Sequence, residues 1–232
     1  MSGNHPTRDD IDIVSGDFYG RDPQEELAWM RANAPVYFDE RNGVWGIAKY
    51  HDVRAISRDA ATWSNAGGIR PNFDPLPMMI DMDDPAHARR RKLVNKGFTP
   101  RQVRDLEPKV RDACDEILDA VIEKGECDFV ADIAAPLPMI MIGDALGVEP
   151  EDRATLLEWS DDMVKSQSSG ATEEALLRAA EAFGGYTEHI MGVIADRRTR
   201  PPVDDLVSVL VHAEVDGDKL ADDELIHELL LT

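Results

Sequence analysis

A histidine and an arginine four residues apart, His87 and Arg91, follow Asp84-Pro85 in a stretch with nothing to break a helix as far as Leu93. At that spacing two side chains share one helical face, a turn from each other. Arg91 brings a planar fork of donors and His87 a ring N–H. Together they make a two-pronged grip for an anion with more than one oxygen. Asp84 reads as the N-cap of this helix and Pro85 as its first residue. The local charge is inverted relative to the rest of the chain. From Pro85 to Arg104 the sequence holds Arg89, Arg90, Arg91, Lys92, Lys96, Arg101 and Arg104 with no Asp or Glu, while the whole chain carries 46 acidic against 25 basic residues, a net charge of -21. A positive island in a negative protein points to an anionic ligand or an acidic partner. The plain alternative for Arg89, Arg90 and Lys92 is a solvated helix face. For His87 alone it is an exposed or satisfied histidine; the pairing with Arg91 and the acidic approach through Asp81, Asp83 and Asp84 raise it above that.

The elements that must position this helix can be read in order. Residues before about Asp10 are polar and expected to be mobile, with a flexible N-terminus over 1–17. Pro23 to Asn33 reads as a short helix capped by Asp22. Val36-Tyr37-Phe38 and Val44-Trp45-Gly46-Ile47 are β-rich runs joined through Asn42-Gly43, a hairpin signal. His51 to Ser57 reads as a short helix. Glycine and proline from Ala66 to Pro77 forbid regular structure, so a long loop precedes the basic helix. It carries or adjoins Ile69, Phe73, Leu76, Met78, Met79 and Ile80, which either tuck it onto the core or wall a pocket for an apolar ligand.

After the basic helix, Thr99, Pro100 and Gln102 form a capping box opening a long amphipathic helix, which Pro108 is placed to kink and Gly125 ends. Cys114 lies on its apolar stripe; Cys127 reads as a small buried residue at a strand edge. Pro136 to Leu146 is apolar nearly all round, the pattern of a buried helix. Further helices are expected over 151–164, 173–198 (broken locally at Gly184-Gly185), 204–211 and from Asp222 onward. Lys165 to Thr172, with Ser166-Gln167-Ser168-Ser169-Gly170, has the composition of a flexible connection. A hydrophobic share of 43% in 232 residues suffices for a sizeable core. The charge balance argues against nucleic acid and anionic membrane. No apolar run reads as approaching the roughly 18–20 residues of a membrane span. Two cysteines and no apolar leader make a cytoplasmic protein the expectation.

Asp84-Pro85-Ala86-His87 through Arg91, followed by Gly97-Phe98-Thr99-Pro100, resembles the C helix of bacterial haem-thiolate monooxygenases, the cytochromes P450. The resemblance implies a mainly α fold with a small β-sheet, here its N-terminal portion from helix A to the start of helix I over 18–232. By that likeness His87 and Arg91 bind the propionates of haem b, the 66–77 loop is the B–C loop over the haem, the 151–198 pair are the F and G lid helices, and Arg90 and Lys92 belong to a basic face (Arg89, Arg90, Lys92, Lys96) that docks an acidic ferredoxin. The family's oxygen-activating threonine segment and cysteine loop are expected beyond Thr232. Ser64 to Pro71 and Pro77 to Pro85 further resemble the actinobacterial cytochromes P450 of cholesterol breakdown. That narrower likeness implies O2-dependent hydroxylation of the terminal side-chain methyl of cholesterol or cholest-4-en-3-one, with Ile69, Met78 and Ile80 lining the steroid channel. Two other readings stand beside it: a P450 acting on a different apolar substrate, and a non-catalytic acidic helical module in which His87 and Arg91 hold another anion or none.

Overall fold

The computed structural model describes residues 5–71, 73–167 and 171–232. The chain divides into two compact units, one of residues 1–76 with 80–84 and one of 77–79, 85–167 and 171–232.

The first unit holds α1 (Gly16–Gly20), α2 (Gln24–Asn33), an antiparallel hairpin of β1 (Val36–Asp39) and β2 (Val44–Ile47), and α3 (Tyr50–Ile56). The hairpin forms where Asn42-Gly43 predicted it, with Gly43 at φ +67°, a conformation that a side chain disfavours. Asp39 is buried at the turn and accepts the amides of Arg41 and Asn42. Ile11 is 2% exposed and packs with Phe18, Met30, Ala34 and Tyr37. This corrects the expectation of a flexible segment to residue 17: from Arg8 on, where the backbone amide meets the Tyr37 hydroxyl, apolar burial holds the chain in place.

The second unit is helical: α4 (Ala86–Val94), α5 (Pro100–Ile122), α6 (Pro136–Leu146), α7 (Arg153–Lys165), α8 (Glu173–Thr199), α9 (Leu206–His212) and α10 (Asp222–Leu231). Leu93 and Val94 of α4 enter a core with Tyr186, Ile190 and Ile194 of α8, Val207 and Leu210 of α9, and Leu225 and Leu229 of α10. Thr99 and Gln102 form the predicted capping box and α5 continues through Pro108. Burial raises the pKa of the Tyr186 phenol, and its hydroxyl donates to the Ile226 carbonyl at 3.0 Å, as a buried hydroxyl must.

Five expectations fail here. Helix α8 is continuous through Gly184-Gly185. The glycine serves packing instead, because a Cβ on Gly185 would lie 2.7 Å from the Trp159 ring of α7. Helix α4 starts one residue later than expected, with Pro85 rather than Asp84 at the N-cap and no side-chain cap. Cys127 is exposed, and the residues after it form a π-helical turn, Phe129–Ala134, not a strand. Helix α6 is not buried all round: only Gly143 and Leu146 are buried, since α5, α7 and α9 cover one side while Met139, Met141 and Ile142 face an open groove. The same region, Phe129–Leu146, is long and apolar enough to cross a membrane, which corrects the expectation that no run approaches that length. It includes Asp132 and Asp144, and its α6 half packs against α5, α7 and α9 while the π-helical turn also meets α5. The proposed flexible connection falls partly on residues 168–170, outside the described residues; Ser166 and Gln167 form a turn after α7.

Candidate functional site

Helix α4 is nine residues long and has three buried side chains, Arg90, Leu93 and Val94. Leucine and valine near its C-terminus set which side faces the core, and the basic residues distribute around the rest. Arg89 is held by a bidentate pair to Asp218 (Nε–Oδ2 2.6 Å, Nη2–Oδ1 2.8 Å) and by Glu224 at 2.8 Å. Lys92 pairs with Asp216 at 2.7 Å and stays exposed. Asp216 and Asp218 flank Gly217 in a tight turn in which Asp216 (φ +57°) and Gly217 (φ +84°) are left-handed, the geometry an Asp-Gly pair favours.

Arg90 is 7% exposed and cannot belong to a docking face. Its Nη1 donates to the Pro77 carbonyl (2.7 Å) and to Glu228 Oε1 (3.0 Å), and its Nη2 to Glu224 Oε1 (2.8 Å). Glu228, 1% exposed, also accepts the Met79 amide at 2.8 Å. The expected partner-binding role of Arg90 is thereby corrected: buried arginine requires acidic partners, and the chain supplies them from α10. Glu224 and Glu228, one turn apart, were missed as partners. Their signal was present, since two carboxylates at i and i+4 on an apolar helix form an acidic face that the basic helix could meet.

Arg91 differs from its neighbours. It is exposed, and among the described residues no carboxylate pairs with it, although Arg89, Arg90 and Lys92 are all paired. His87, four residues earlier on the same face, is half-buried. Arg91 is therefore the guanidinium on α4 that no carboxylate among the described residues takes up, and His87 stands one turn from it, a spacing that fits a carboxylate-bearing ligand.

Of the acidic residues before α4, Asp81 and Asp83 hold the preceding loop. Asp81 is buried and accepts the amides of Ile69 (3.0 Å) and Leu76 (2.7 Å), and Asp83 accepts the Asn65 amide (2.9 Å) and the Ser64 hydroxyl. Two carboxylates thus clasp the glycine- and proline-rich loop, whose Gly68 sits at φ +95°. Of the residues expected to line a substrate channel, Ile69 is 51% exposed on that loop and Ile80 is half-buried in the Met79–Asp81 3-10 turn. Both belong to the first unit; Met78, in the second, is buried. A separate apolar groove of about 820 Å³ lies among α5, α6, α7, α9 and the end of α10, lined by Phe98, Leu106, Met139, Leu157 and Leu230 among others; neither His87 nor Arg91 lines it.

Burial works against ionised Glu224, yet the Ala221 amide, Arg89 and Arg90 outweigh it and hold its pKa below the ordinary 4.5. Arg89 likewise lowers that of Asp218. A depressed carboxylate contributes stability that is complete above its unfolded pKa and is lost as pH falls through the folded one. Unfolding midpoints in urea should therefore hold steady at neutral pH and decline below 4.5, with a shallower decline in Glu224→Gln. An equal slope in that variant would assign the acid loss to other carboxylates.

No family model matches the chain. It is 52% identical over 223 residues to a protein named steroid C26-monooxygenase from Mycobacterium tuberculosis, with 96% of this chain and 56% of that one covered. It is 39% identical over 202 residues to the erythromycin C-12 hydroxylase of Saccharopolyspora erythraea, covering 85% and 50%. The chain thus spans about half the length of the curated relatives it matches. Among solved structures, it superposes on CYP109E1 from Bacillus megaterium in complex with testosterone with a TM-score of 0.77 and 32% identity, covering 90% of this chain and 53% of that one. Cytochrome P450 Eryk from S. erythraea gives 0.78 and 32%, covering 95% and 56%.

Proposed function

The chain belongs to the cytochrome P450 family, and from that membership we propose that it is the haem-propionate-binding and substrate-covering portion of a monooxygenase that hydroxylates the terminal side-chain methyl of a steroid such as cholest-4-en-3-one. The observation that carries the reading is Arg91, the cation of the Arg89–Lys92 run that no carboxylate among the described residues pairs with. Its fork can take one propionate oxygen pair, and His87 adds a second donor on the same face. Charge-assisted hydrogen bonds of this type contribute about 1.5–3 kcal/mol each, enough to offset much of the cost of burying a haem carboxylate. Bound haem supplies the oxygen-activating chemistry. The cysteine that would ligate it is not assigned to Cys114 or Cys127, neither of which lies in the sequence context of the family's cysteine loop.

Ile69, Met78 and Ile80 are proposed to touch the steroid. A saturated methyl offers no polar handle, so selection of the carbon must come from shape and from apolar burial at about 25 cal/mol per Å². The Asp81 and Asp83 carboxylates hold the loop backbone at Asn65, Ile69 and Leu76, and such restraint lowers the entropy lost on binding. The steroid itself is suggested by the relatives' name. A ferredoxin is the electron donor in this reading, and Lys92, exposed where Arg90 is not, is the remaining residue of the two first expected at that interface.

The test is a reduced, carbon monoxide difference spectrum of the natural gene product, followed by titration with cholest-4-en-3-one. A thiolate-type Soret band that responds to the steroid is expected. A protein that takes up no haem would instead be the non-catalytic acidic module. One that takes up haem and ignores steroids would be a P450 for another apolar substrate.

A further inference from the structure

We propose that the buried ion cluster of Arg90 with Glu224 and Glu228 is a positioning device for Arg91. The proposal rests on the reading of Arg91 as a propionate ligand and adds a role for three residues that touch no cofactor. Helix α4 has only two apolar anchors, Leu93 and Val94, both at its C-terminal end. Arg91 lies in the same last turn, and Arg90, the third buried side chain of the helix, directly precedes it. Successive residues project about 100° apart around a helix, so whatever fixes the direction of Arg90 fixes that of Arg91.

Arg90 is fixed in three directions at once. One nitrogen reaches the Pro77 carbonyl and Glu228, the other Glu224, and Glu228 is itself pinned by the Met79 amide. The guanidinium is planar, so these contacts set its rotation as well as its place. Arg89 and Lys92, tied to the turn at Asp216–Asp218, hold two further points on the circumference of α4. Stability alone does not call for this arrangement. Buried ion pairs can be exchanged for apolar side chains without loss, and Glu228 Oε2 is buried with no hydrogen-bond partner among the described residues. A cluster that adds little stability and fixes orientation is suited to aiming its neighbour.

The test uses the haem-loaded natural gene product and follows haem transfer to excess apomyoglobin, with urea unfolding of the haem-free protein as the control for folding. The variants are Arg90→Met/Glu228→Met, Arg91→Gln, and the three changes combined. Arg90→Met/Glu228→Met is expected to unfold near the parent's midpoint and to lose haem about ten-fold faster, the scale on which outer-shell partners act. The combined variant is expected to lose haem no faster than Arg91→Gln alone, because a misaimed and an absent Arg91 are equivalent. A purely structural cluster would shift the unfolding midpoint and leave haem loss unchanged. Parental haem loss in Arg90→Met/Glu228→Met beside faster loss in Arg91→Gln overturns the positioning role alone, as do effects that multiply in the combined variant. An unchanged rate in Arg91→Gln overturns the propionate reading and this proposal with it. Arg90→Lys, which keeps the charge balance but not the planar fork, replaces the double variant should that fail to fold; it too is expected to speed haem loss, and a parental rate would overturn the proposal.

Discussion

Replacing Arg90 alone with Met is expected to lower the free energy of unfolding by about 3–5 kcal/mol, the cost of leaving buried carboxylates without their cation. Glu228 has no other charged partner among the described residues, and its exposure of 1% denies it water. Glu224 is better protected because Arg89 still reaches it at 2.8 Å, so most of the loss is expected through Glu228. Urea denaturation followed by helical circular dichroism gives the measurement, with the slope against denaturant checked for constancy so that the midpoint shift reports stability. Adding Glu228→Met to Arg90→Met should return most of the loss. A single replacement costing less than about 1 kcal/mol would mean that water reaches Glu228 and that the cluster is solvated like a surface pair.

The second large effect is expected from Leu225→Ala. Leu225 is fully buried in α10, in one core with Val207 and Leu210 of α9 and Ile190 of α8. Truncating it removes apolar contact and leaves a cavity walled by three helices, at a cost of about 2–5 kcal/mol. Ile122, 71% exposed at the end of α5, is the matched control. Its truncation should change stability by no more than about 0.5 kcal/mol. Comparable losses at the two positions would show that the face carrying Ile122 is covered in solution.

Much of the local structure was legible because its causes are local. Thr99, Pro100 and Gln102 cap α5 through contacts no more than three residues apart. Gly43 of Asn42-Gly43, and both residues of Asp216-Gly217, take left-handed backbone in their turns for reasons internal to each pair. The likeness of the 84–100 segment to the P450 C helix rests on such short-range patterns, and the relatives at 52% and 39% identity bear out the family. Misreadings arose where a distant group decides. Gly184-Gly185 suggests a helix break by propensity, but Trp159 on another helix requires a residue without a side chain there. Asp81 and Asp83 look like an acidic approach in sequence and are receptors for loop amides in the structure. Pro136 to Leu146 has the composition of a buried helix, yet one side of it faces an open groove.

The basic run from Arg89 to Lys92 divides these two kinds of information most clearly. By itself the sequence determined that a helix would form there, that it would be positive in a negative protein, and that His87 and Arg91 would share a face, since helical periodicity alone sets that. Of the four adjacent cations it marked Arg91, by its spacing from His87, as the ligand candidate, and left Arg89, Arg90 and Lys92 as either a solvated face or a docking face. Only the tertiary structure separated them, because α10 and the turn before it, more than 120 residues along the chain, place Asp216, Asp218, Glu224 and Glu228 against three of the four. Charge pairing is decided by distance in space, and no spacing within a single helix encodes which cation will find its carboxylate elsewhere in the fold.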